Sequence, residues 1–95
     1  MALTKNAIYY FLKSKRISIA SIARKNNVTR QSIQGITKRK IWQIKLNTYY
    51  RISEMTDQSI GQVVDEILKI DDLKRHHQEL DDDEFVDYLR WGFFD

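Results

Sequence analysis

Proline does not occur in this chain and glycine occurs only three times, so the backbone has few places to turn sharply. A β-sandwich or barrel needs turn residues about every ten positions. Helices joined by short connections are what remains, and apolar residues do recur at helical spacing along most of the sequence. Cysteine is absent, which excludes disulfides and the usual thiolate metal sites. Ninety-five residues must then fold around one small core, and the 11 aromatic residues supply much of its bulk. A small chain without such staples is expected in a reducing cytoplasm. No apolar run approaches the ~18 residues of a membrane span, and the charged first 15 positions do not read as a signal peptide.

Charge is unevenly distributed. Residues 1–70 carry 13 Lys and Arg against 4 Asp and Glu, a balance of +9. Residues 71–95 carry 3 against 9, a balance of −6. We read residues 1–70 as a basic body that meets a polyanion, and residues 71–95 as an acidic extension with a separate role.

The pattern predicts six helices. Thr4 is the expected N-cap of the first, with Ala7, Ile8, Phe11 and Leu12 on its inner face. Ser18 caps a short second helix over residues 19–25, which Asn26 and Asn27 stop. Val28 is expected to plug the turn, and Thr29 to cap a third helix with Ile33 and Ile36 inside. A connector through Ile41, Trp42 and Ile44 is unusually apolar, and Trp42 is expected in the core. Tyr49, Ile52 and Met55 mark a fourth helix that ends at Thr56 and Asp57. Ser59 opens a fifth, with Ile60, Val63, Val64, Ile67 and Leu68 facing inward. Residues 71–80 read as a linker or a continuation of that helix. The acids at 81–84 open a sixth helix, where they complement the positive end of its dipole.

Function is carried by residues 18–38. A helix-turn-helix requires a short first helix, a tight turn and a second helix with a polar outer face. Gln31, Gln34, Gly35 and Lys38 follow i, i+3, i+4, i+7 and share one face that has no apolar reason to be buried. Lys38, Arg39 and Lys40 follow that helix and suit a phosphate backbone.

In these residues, and most closely in VTRQSIQ, the sequence resembles the Cro/CI (XRE-type) helix-turn-helix family of phage and bacterial transcriptional regulators. The resemblance covers roughly residues 5–68. It implies an all-α, five-helix lambda-repressor-like domain, here followed by an acidic, aromatic C-terminal helix. It also implies that Arg30, Gln31, Ser32 and Gly35 meet bases or phosphates in the major groove, with Gln34 beside them. Gln suits adenine and Arg suits guanine. Phosphate contacts are expected from Thr29, Lys38, Arg39, Lys40 and Arg24. Where the family often begins its second helix with a phosphate-clamping Gln, this chain has Ile19. Gly35 replaces the base-reading side chain of many relatives, at a cost of about 1 kcal/mol of helix propensity.

The expected function is therefore a DNA-binding repressor, acting as a homodimer on a palindromic operator of double-stranded DNA, with no cofactor and no membrane partner. Phe85, Tyr88, Leu89, Trp91 and Phe94 are the expected dimer or partner contacts. They pack against the basic body or a second subunit, and removing residues 81–95 is expected to leave a folded monomer. The rival readings are an antitoxin-type autoregulator whose tail grips a partner protein, and a mobile-element protein acting on a host factor. Adjacent His76 and His77 diverge on a helix and do not form a metal site. No nucleophile-base arrangement, phosphate-binding glycine loop or carboxylate pair points to an enzyme.

Overall fold

Side-chain caps set where most of the helices begin. The computed structural model describes residues 3–91, and among these all regular structure is helical. Helix α1 is Ala7–Ser14, α2 Ile19–Lys25 and α3 Arg30–Ile36. A single 3-10 turn, Ile41–Gln43, leads to α4, Leu46–Thr56. Helix α5 is Ile60–His76 and α6 is Asp82–Trp91. Ser18, Thr29 and Ser59 each accept the backbone N–H three residues on, as a Ser or Thr in extended conformation does. Ser59 and Gln62 form a reciprocal capping box. Asp81 and Glu84 form another, at 2.8 and 2.9 Å, so the acids that open α6 also close its exposed N–H groups. Asn27 and Asp57 end α2 and α4 with φ of 55° and 56°, the left-handed conformation that Asn and Asp tolerate.

The cap of α1 departs from expectation. Asn6 accepts from the N–H of Tyr9, while Thr4 lies outside the helix and donates its hydroxyl to Asp82 at 3.2 Å. Asn6 stands directly before the apolar run, whereas the hydroxyl of Thr4 is engaged by a partner 78 positions away.

Helix α1 lies at the centre, packed against α5 and α6, with α4 against α5 and α2 against α3. Tyr10, Phe11, Ile8, Val63, Ile67, Ile70, Phe85 and Leu89 are buried almost completely. The inner stripe of α5 is therefore Val63, Ile67 and Ile70, and Leu68, expected inside, is exposed. Position 70/71 falls within α5, whose 17 residues run continuously from the basic body into the acidic extension. Residues 71–76 continue the helix rather than forming a linker.

The acidic extension folds back onto α1. Phe85 meets Tyr10 edge to face, with ring centroids 5.0 Å apart. The Tyr10 hydroxyl donates to Asp82 at 2.6 Å, and at the other end of α6 Arg90 donates to the carbonyl of Lys13 at 2.7 Å. Helix α6 thus runs parallel to α1 and is pinned at both ends. Of the two expected settings for its aromatic residues, the basic body and a second subunit, α6 takes the first. Phe85 and Leu89 are consumed by the core of their own chain, because each offers about 1.5–3 kcal/mol on burial and α1 presents the matching face. Tyr88 is half-buried, stacked near Phe85 and against His77. Of the expected contact residues that are described, Trp91, 71 % exposed, is the one open to another chain. Phe94 lies outside the described residues. No helix among the described residues is long and apolar enough to cross a membrane.

Candidate nucleic-acid interface

The two short helices α2 and α3 depend on their connection for rigidity, since seven residues each is too few for independent stability. The side chain of Asn26 donates to the carbonyl of Ile22 at 2.9 Å, and the N–H of Val28 to the carbonyl of Ala23 at 3.0 Å. With Asn27 left-handed between them, these bonds close the C-terminus of α2 and aim the chain into α3. Val28 itself is 38 % exposed, so backbone hydrogen bonding closes the turn and the valine does not plug it. Ile22 and Ala23 from α2 and Ile33 from α3 are buried, and they fix the pair on the body.

Burial on one side of α3 leaves the other side free. Thr29, Arg30, Gln31, Ser32 and Gln34 are exposed, as are Arg24 on α2 and Lys38, Arg39 and Lys40 after α3. Thr29 and Ser32 are not independent groups: their hydroxyls lie 3.0 Å apart, and Thr29 also accepts the N–H of Ser32. Gly35 is half-buried, yet a Cβ built on it would meet no atom within 4 Å. Internal packing therefore gives no reason for a glycine in this helix.

The segment that follows α3 is held by a residue that sequence reasoning missed. Asn6 is buried, and its side-chain N–H groups donate to the carbonyls of Ile36 and Arg39, both at 2.7 Å. Its backbone N–H donates to Thr37 at 2.9 Å. Thr37 is itself buried and donates its hydroxyl to the carbonyl of Gln34 at 2.6 Å. One asparagine thus caps α1 and satisfies the open carbonyls at the end of α3. Only its polarity beside an apolar run signalled this, and Thr4 offered the same signal.

Trp42 is 72 % exposed, against the expectation of a core position. The core contacts in the connector come from Ile41 and Ile44, and Tyr49 donates to the carbonyl of Ile41 at 2.9 Å. The indole lies outside that anchor, with the Lys40 ammonium 5.4 Å from its ring centre. Trp42, Leu46 and Leu68 are exposed around an open groove of about 370 Å³ between the connector, α4 and α5.

Comparison with family models, with curated proteins and with solved structures returns no match for this chain.

Proposed function

We propose that this chain is a sequence-specific DNA-binding regulator of the Cro/CI helix-turn-helix type, a repressor that acts in the cytoplasm with α3 in the major groove. One observation carries this reading: α3 turns a polar face outward, is followed by three exposed cations, and keeps open space over Gly35. A groove floor can approach a helix most closely where the side chain is absent. On this reading Gln31 and Gln34 hydrogen-bond adenine, Arg30 reads guanine, and Ser32 supports the same surface. Lys38, Arg39, Lys40, Arg24 and Thr29 meet phosphates, which set affinity and register.

On this reading α1 to α5 make up the five-helix domain of that family, and α6 is an addition that packs on α1. The proposed homodimer uses the groove edged by Trp42, Leu46 and Leu68. Trp42 also borders the basic segment after α3, so this groove lies beside the proposed DNA surface.

Footprinting on the DNA immediately upstream of the gene tests the proposal. The expected result is protection of two inverted half-sites whose centres are about one helical turn apart. Uniform, sequence-independent protection contradicts a specific regulator, and protection of a single half-site contradicts the dimer.

A further inference from the structure

Three stretches that are remote in sequence converge on one cleft of about 260 Å³: the start of α1, the segment after α3, and the last turn of α5. Six cations line it, namely Lys5, Lys38, Arg39, Lys40, Lys74 and Arg75. Asp71 is the one carboxylate among the lining residues, and it is engaged by Arg75 at 2.6 Å. Among the described residues, Lys5, Lys38, Arg39, Lys40 and Lys74 take part in no ion pair. Two of the cations, Lys74 and Arg75, come from the segment whose overall balance is −6.

Complementing helix dipoles is the ordinary work of Lys and Arg at helix ends. It accounts for only part of this cluster. The C-termini of α3 and α5 carry about −0.5 charge each, roughly one charge together. Asp82, bonded to Thr4 at the cleft edge, adds one negative charge, and the cations still outnumber the counter-charges. Holding like charges around a common cleft is unfavourable, and an anion placed there relieves it. The arrangement is also held firmly, because Asn6 ties the carbonyl of Arg39 to the start of α1. Asp71 engages the Arg75 guanidinium at the cleft wall, while the arginine side chain stays largely exposed.

We infer that this cleft takes a backbone phosphate of the bound DNA, next to the groove that α3 enters. The inference rests on the DNA-binding reading and extends it to Lys5 and Lys74, which belong to neither α2 nor α3. Continuity of surface carries it. Lys5 and Lys38 line both this cleft and a neighbouring depression shared with Gln34 on α3. A strand that follows the outer face of α3 past Gln34 and Lys38 therefore runs on to Lys5 and Lys74.

The experiment is a salt titration of duplex affinity with the full-length protein, on the footprinted site and on a random duplex of equal length. The double variant Lys5→Gln, Lys74→Gln removes two phosphate contacts without touching α3. Each contact contributes about 0.9 to the slope of log K against log salt. The expected slope is shallower by about 2, with affinity at 0.15 M salt falling roughly 30-fold on both duplexes and the preference between them unchanged. The variant Lys5→Arg, Lys74→Arg keeps the wild-type slope. So does Lys13→Gln, at the opposite end of α1. A double Gln variant with the wild-type slope overturns the cleft assignment while leaving the reading of α3 intact. A wild-type protein that does not bind duplex DNA overturns both.

Discussion

The side-chain amide of Asn6 donates to the backbone carbonyl of Arg39 at 2.7 Å, joining the start of α1 to the basic segment after α3. The same amide reaches Ile36, and the same residue caps α1. Asn6→Ala is expected to cost about 2–4 kcal/mol, from a lost cap and two carbonyls left without their donor. Asn6→Asp keeps the cap but has no N–H to donate, and it sets a carboxylate against two carbonyl oxygens. Urea denaturation should find Asp no better than Ala. If Asp instead restores full stability, capping alone explains the residue and its bonds across to α3 are incidental.

Helix α6 is part of the core, so the acidic extension cannot be removed harmlessly. Phe85→Ala should cost about 3–5 kcal/mol, comparable with the whole stability of many small domains. Trp91→Ala should change stability by no more than about 0.5 kcal/mol. Deleting residues 81–95 uncovers Tyr10 and the face of α1 that Phe85 and Leu89 cover. Thermal unfolding followed by circular dichroism should show a greatly weakened or absent transition for the truncation. A cooperative transition at the full-length temperature contradicts the docking of α6.

The Tyr10 hydroxyl makes stability fall at high pH. Burial raises its pKa above the ordinary tyrosine value of about 10, and the hydrogen bond to Asp82 adds to the rise. The folded pKa is the higher one, so the contribution is fully present below pH 10 and is lost as pH rises beyond it. Above that point the unfolded chain releases a proton that the folded chain retains. Tyr9 and Tyr49 shift in the same direction, chiefly through burial. Stability measured between pH 9 and 11 should fall, and Tyr10→Phe should make the fall shallower. An identical decline in the variant contradicts the assignment to Tyr10.

Gly35→Ala separates folding from recognition. A methyl group there meets open space, and alanine favours the helix by about 0.5–1 kcal/mol. The free protein should therefore become slightly more stable. Affinity for the footprinted duplex should drop, because the methyl group stands between α3 and the groove floor. If stability rises and affinity is unchanged, close approach at Gly35 is not part of binding.

What could be read from the sequence was what depends on neighbouring residues. Ser18, Thr29 and Ser59 cap helices through a partner three residues away, and Asn27 and Asp57 turn the chain through their own backbone tolerance. The exposed face of α3 was legible because Ile33, on its other side, had a core to meet. Long-range competition was not legible. Thr4 and Asn6 are both capping types, and that Thr4 would instead meet Asp82 from across the chain was not visible locally. Trp42 sits in an apolar stretch, but Ile41 and Ile44 take the two inward positions. Likewise the apolar stripe of α6 called for a partner without indicating that α1 of the same chain would be it. The basic cleft draws on positions 5, 38–40 and 74–75, which the packing of α1 against α5 and the bonds from Asn6 to the segment after α3 bring together.

The claim that α3 reads DNA sequence is tested most directly at Gln31, exposed on the face shared with Gln34 and Gly35. The measurement is selection of binding sites from a randomised duplex pool, with wild type and Gln31→Ala in parallel. The wild type should return a defined motif. The variant should return the same motif with the preference relaxed at one base position, and should bind the wild-type site about 1–3 kcal/mol more weakly. Identical motifs from the two proteins contradict base reading by Gln31, and the absence of any motif from the wild type contradicts sequence recognition by α3.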